Sequence, residues 1–131
     1  MPATGDVLLD TSVVIPYLKG DVAIRQQIQS VSVLYLPMTV VGELYCGAYM
    51  SRHQARVLQE IRNFLTGVVM LGQSETTAEC YGQIRVELAK AGTPIPENDI
   101  WIAALARERG MSLVTRDAHF QRIGGLNIVN W

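Results

Sequence analysis

Val7-Leu8-Leu9-Asp10-Thr11-Ser12-Val13-Val14 is the stretch whose reading decides the fold. Three aliphatic residues with no polar alternation make a short strand covered on both faces. Asp10 closes that strand, and Thr11-Ser12 bring helix-start chemistry, so Val13 to Leu18 reads as a helix ended by Gly20. A strand running straight into a helix is the opening of a β-α-β unit, and the same alternation continues outward. Asp21 caps a second helix running to about Ser30, and Val33–Leu36 is the next strand. After Pro37 a helix begins at Thr39, and another spans Gln54 to Leu65. Val68–Leu71 forms a third strand, and Ser74 opens a long helix to Ala91. Gly92-Thr93-Pro94-Ile95-Pro96 is a stiff turn, beyond which Asn98 or Asp99 opens an apolar helix ending at Gly110. Ser112–Val114 and Asn127–Val129 are the last two strands.

Strands alternating with helices predict a three-layer α/β/α fold with a parallel, roughly five-stranded sheet. Such sheets bind ligands at the carboxyl ends of their strands, where the strand order reverses. Four carboxylates fall on that rim. Asp10 follows the first strand, Glu43 lies in the first turns of the helix after the second, Asp99 opens the helix before the fourth, and Asp117 follows the fourth. Each has a structural alternative. Asp10, Asn98 and Asp99 suit helix caps, and Asp117 suits a turn. Glu43 misses the capping-box place three residues after Thr39, which is Gly42, and sits among Val40, Val41, Leu44 and Cys46. The helix beyond Asp99 is apolar nearly all round, so a charge at its mouth needs a partner, and a metal ion is a good one.

Several hard oxygen donors on rigid element ends suit Mg2+ or Mn2+. Such ions serve in-line attack on a phosphodiester and offset the repulsion between an acidic pocket and an anionic substrate. The chain's overall charge agrees with local binding. It carries 11 Lys plus Arg against 12 Asp plus Glu, far from the basic balance of a protein held to nucleic acid by general phosphate attraction. Nearly half of the 131 residues are apolar, a surplus that suits a shared interface. No apolar run approaches the ~20 residues that cross a bilayer. The start, Met1 to Asp6, lacks the features of a secretion signal, so a cytoplasmic protein is expected. Cys46 and Cys80 belong to no paired motif and read as buried free thiols. His53 and His119 read as non-catalytic, His119 as packing beside Phe120. Trp101 and Tyr45 read as packing rather than base-stacking residues. Arg52, Arg116 and Arg122 read as solvated charge with the option of phosphate contact.

Together Leu8-Leu9-Asp10-Thr11-Ser12-Val13, Thr39-Val40-Val41-Gly42-Glu43-Leu44, Asp99-Ile100-Trp101-Ile102-Ala103-Ala104 and Leu113-Val114-Thr115-Arg116-Asp117-Ala118-His119-Phe120 resemble PIN-domain nucleases. The nearest resemblance is to VapC-type toxins of toxin–antitoxin pairs, and it spans residues 1–131 as one PIN-like domain. The resemblance implies a divalent-metal endoribonuclease with RNA as substrate, a cognate antitoxin as partner and a homodimeric state. On the matching positions, Asp10, Glu43, Asp99 and Asp117 would be metal ligands, Thr115 would orient the site, and Ser12 would assist by a hydrogen bond. Other functions weighed are a catalytically inactive PIN-like binding module, a metal-dependent phosphatase and a receiver domain. A haloacid-dehalogenase-type phosphatase needs a second Asp where this chain has Ser12. A receiver needs paired acids and a late Lys that are not evident here.

Overall fold

The computed structural model describes residues 5–131; the segment Met1–Thr4, read above for a secretion signal, lies outside them. The chain runs β1 (Gly5–Leu9), α1 (Thr11–Leu18), α2 (Val22–Ile28), β2 (Val31–Pro37), α3 (Met38–Met50), α4 (Gln54–Leu65), β3 (Val69–Leu71), α5 (Glu75–Ala91), α6 (Glu97–Arg109), β4 (Ser112–Val114) and β5 (Asn127–Val129). A 3-10 turn, Ala118–Arg122, lies between the last two strands. The five strands form one sheet in the order β3-β2-β1-β4-β5, and every pairing is parallel.

That order makes β1 the centre. Its residues Val7, Leu8 and Leu9 are fully buried, paired with Leu34 and Tyr35 on one side and with Leu113 and Val114 on the other. From β1 the chain steps outward through β2 to β3, then returns past β1 to β4 and β5. Right-handed crossovers in opposite directions put their helices on opposite faces. Accordingly α1 packs with α2 and α3, and α3 with α4, while α5 packs with α6; α3 and α6 also meet, which brings the elements carrying Glu43 and Asp99 together. The order reverses between β1 and β4, so the connections leaving their paired carboxyl ends run to opposite sides and leave the crevice that holds the site.

Local chemistry explains most element ends. Asp10 caps α1, Asp21 caps α2, and Ser74 with Thr77 forms a reciprocal capping box on α5. Gly92 and Gly110 end α5 and α6 in the left-handed conformation that costs glycine little. Two expected caps are corrected. Helix α3 starts at Met38 behind Pro37, so Thr39 lies inside it. Helix α6 starts at Glu97 behind Pro96, so Asn98 and Asp99 lie in its first turn rather than capping it. In both cases proline sets the extended backbone of the cap, and the side-chain cap becomes unnecessary. The burial expected for α6 is present, with Ile100 and Ile102 to Ala106 all buried. Full coverage of every strand is not: Val69 and Met70 of edge strand β3 are 43% and 45% exposed. Cys46 is also exposed rather than buried, because it lies on the outer face of α3; both cysteines are free thiols.

Candidate active site

The rim at β1 and β4 is organised around one buried carboxylate. Asp10 is 4% exposed, and its Oδ2 accepts hydrogen bonds from Ser12 Oγ at 2.7 Å, Thr115 Oγ1 at 2.9 Å and the Ser12 backbone N–H at 3.4 Å. Its own N–H bonds to Val114 O, tying the end of β1 to the end of β4. The two hydroxyls also order the loop beyond β4. Ser12 Oγ accepts from Arg116 N–H at 2.9 Å, and Thr115 Oγ1 accepts from Asp117 N–H at 2.9 Å. One cap therefore joins two strands, one helix and the loop that carries Asp117.

The other three acids converge on Asp10 from separate elements. Glu43 comes from α3 and accepts from Thr11 Oγ1 at 3.1 Å. Burial pushes its pKa up; the Thr11 hydrogen bond opposes this, and the charges of Asp10 and Asp99 add to it. Asp99 comes from the first turn of α6, where the helix dipole favours an anion. Its pKa is nonetheless raised, first by burial, against the hydrogen bond from His119, and then by the charges of Asp10 and Asp117. Asp117 caps the 3-10 turn by accepting from His119 N–H at 2.9 Å. The structure thus brings all six sequence-selected residues, Asp10, Ser12, Glu43, Asp99, Thr115 and Asp117, to one rim.

His119 completes the constellation and corrects the packing role expected of it. Its Nδ1 lies 3.3 Å from Asp99 Oδ2 and 3.1 Å from Asp117 Oδ1. The signal was available in Asp117-Ala118-His119: a capped turn brings the residue two places on back over the capping carboxylate. Thr11, which holds Glu43, was read only as part of a helix start. Arg116 is engaged within the chain, with Asp21 at 3.1 Å and the carbonyl of Trp131 at 2.7 Å. Arg122 reaches the carbonyl of Pro94. Trp101 stacks on Tyr81 with ring centroids 4.1 Å apart, which agrees with a packing role. His53 stands exposed before α4.

Asp99 feels the charges of Asp10 and Asp117, and Glu43 those of Asp10 and Asp99, so the four acids form a chain of like charges that needs positive charge. Among the described residues, no lysine or arginine forms an ion pair with any of them, and His119 is the one basic side chain beside them. Burial with charge repulsion, and no paired lysine or arginine to relieve it, is the donor environment that a hard divalent cation fits.

The PIN domain family profile matches residues 7–126. The chain belongs to the PIN-domain family. Among the relatives of this PIN domain, Ribonuclease VapC2 of Haemophilus influenzae is 35% identical over 128 residues, covering 95% of this chain and 96% of that protein. The tRNA(fMet)-specific endonuclease VapC of Shigella flexneri is 33% identical over 127 residues, with 95% and 96% covered. The crystal structure of DNA-bound VapBC from Salmonella typhimurium matches with a TM-score of 0.90 at 32% identity, over 100% of this chain and 99% of that one. The PIN domain described here is therefore of the VapC type, and its acidic rim lies inside the matched span.

Proposed function

We propose that this PIN domain is a divalent-metal-dependent endoribonuclease, the toxin of a toxin–antitoxin pair, with RNA as its substrate. The observation that carries the proposal is the convergence of Asp10, Glu43, Asp99 and Asp117 at the strand-order reversal with no lysine or arginine among the described residues paired to them. In this reading the four carboxylates hold Mg2+ or Mn2+. A bound ion of this kind supplies Lewis-acid charge to the scissile phosphodiester and acidifies water for in-line attack. The chain's own residues supply position. Ser12 and Thr115 both donate to Oδ2 of Asp10 and so hold its carboxylate in one position, and among the described residues no hydrogen bond falls on its other oxygen. Thr11 does the same for Glu43. Because each acid stands on a different element, the packing of α1, α3, α6 and β4 sets the geometry before substrate arrives.

The surface also suits the protein partners of this reading. A cleft of about 380 Å3 between α1, α3 and α4 is lined by apolar residues such as Ile15, Leu44, Val57 and Ile61, and Glu43 stands at its wall. An antitoxin segment laid there would reach the acidic rim. On its outer side α3 exposes Met38, Gly42, Cys46, Tyr49 and Met50, an uncharged face that suits a second copy in a homodimer. No helix among the described residues is long and apolar enough to cross a membrane.

RNA cleavage by the purified chain is expected to require Mg2+ or Mn2+, to stop in EDTA and to vanish in Asp10→Asn and Asp99→Asn. Undiminished cleavage in EDTA would overturn the metal mechanism. Light scattering should return a dimer mass at micromolar concentration; a monomer mass would remove the homodimer from the proposal.

A further inference from the structure

We propose that His119 is itself a ligand of the metal site and tilts its preference toward transition-metal ions over Mg2+. This rests on the metal-dependent reading above and adds a nitrogen donor to a site otherwise made of carboxylates. Asp99, Asp117 and His119 offer ligand atoms that all lie within 4.8 Å of one another. The nitrogen-to-oxygen separations, 3.3 Å to Asp99 and 3.1 Å to Asp117, are those of neighbouring corners of a coordination octahedron. With metal–ligand bonds of roughly 2.1–2.2 Å, adjacent donors stand about 3 Å apart. The same separations suit hydrogen bonds, and with an ion held among these groups Nδ1 would stand at a ligand's distance from both oxygens.

Two further features separate this from a chance contact. The ring is placed by the backbone as well as by its attraction to the acids. The His119 N–H is held by Asp117 Oδ1 at 2.9 Å, and the next residue, Phe120, is fully buried as an anchor. Asp10 adds the second feature. It is 4% exposed, all three of its side-chain hydrogen bonds fall on Oδ2, and its charge bears on Asp99, so a further buried carboxylate stands beside the Asp99, Asp117 and His119 cluster. An imidazole nitrogen in that set matters for selectivity. Mg2+ takes oxygen ligands and keeps its waters, whereas imidazole binds first-row transition ions with an affinity that starts lowest at Mn2+ and rises along the series, so Mn2+ is the most demanding probe of a nitrogen ligand.

The competing role for His119 is a resident counter-ion, an imidazolium that a metal must displace. The two roles have opposite signs. A ligand removed weakens metal binding; a counter-ion removed strengthens it.

The test uses the full chain with Mn2+ and Mg2+ as probes at one fixed pH. Calorimetric titration of wild type and His119→Ala should show Mn2+ binding weakened roughly tenfold or more, with Mg2+ binding changed much less. Pulsed paramagnetic resonance of the Mn2+ complex should show coupling to a directly bound ring nitrogen in wild type and in His53→Ala. That coupling should be absent in His119→Ala. The chain has two histidines, so these variants assign the signal completely. Circular dichroism checks that the variant is folded, and His119→Gln serves if the alanine variant is not. Mn2+ binding that is unchanged or tighter without His119, or a wild-type complex with no nitrogen coupling, overturns the proposal. The nuclease reading fails separately: wild type and Asp99→Asn would then both bind neither ion. If wild type binds Mn2+, Asp99→Asn does not and His119→Ala binds as wild type, only the histidine role falls.

Discussion

Thr115→Val removes one hydroxyl from a residue that is 2% exposed and leaves its shape almost unchanged. The lost group donates to Asp10 Oδ2 at 2.9 Å and accepts from Asp117 N–H at 2.9 Å. A buried hydrogen bond to a charged partner contributes about 1.5–3 kcal/mol, and an orphaned donor costs about 1 kcal/mol more. The second part is discounted, because Asp117 is partly exposed and water can reach it. Valine fills the same volume, so no cavity cost is added. The sum is about 2–4 kcal/mol, which for a chain of this length lowers Tm by roughly 6–12 °C. The assay is thermal and urea unfolding followed by circular dichroism, in EDTA, at one protein concentration because a dimer's Tm depends on it. Thr115→Ser keeps the hydroxyl and should recover most of the loss. If the valine variant unfolds within about 0.5 kcal/mol of wild type while the serine variant is worse, the methyl group matters and the hydroxyl does not. The account of Asp10 as the organising buried charge would then be refuted.

The raised pKa values of Glu43 and Asp99 predict an unusual pH response. Both groups bind protons more tightly folded than unfolded, so their contribution is fully present below the ordinary carboxylate pKa and is lost as pH rises through the raised values. Metal-free protein should lose stability across that window, and Glu43→Gln or Asp99→Asn should flatten the loss while abolishing RNA cleavage; Tm against pH in EDTA measures it. Gly110→Ala tests a backbone position alone, since φ is +62° and a methyl group would meet nothing within 4 Å. It should cost about 1 kcal/mol in urea unfolding, with metal affinity unchanged.

Much of the site was legible because its residues sit at element junctions, and junctions are written in local chemistry. An aliphatic run, an acid and two hydroxyl residues placed Asp10, Thr11 and Ser12 at a strand-to-helix corner without reference to anything distant. The alternation of strands and helices then put Glu43, Asp99 and Asp117 on the same rim. The caps of α3 and α6 were misplaced because two mechanisms compete at a helix start. Pro37 and Pro96 preset the backbone, and the side chains of Thr39, Asn98 and Asp99 are left for other contacts. His119 was undervalued because its partners are Asp117, two residues away, and Asp99, twenty residues away. No pattern along the chain reports the second.

By itself, the sequence determined the layered architecture, the rim and the identity of four carboxylates, because periodicity and capping are short-range properties. Only the tertiary structure decided that β1 lies at the centre with β4 beside it, and so which acids share one electrostatic field. Strand order depends on how separated aliphatic surfaces are buried against one another, which local patterns do not encode. It likewise decided that Ser12 and Thr115 meet on one oxygen of Asp10, and that a histidine enters the ring of acids. The Ser12 bond to Asp10 is local, but the Thr115 bond to Asp10 and the His119 contact with Asp99 span 105 and 20 residues of chain and exist only once the core has closed.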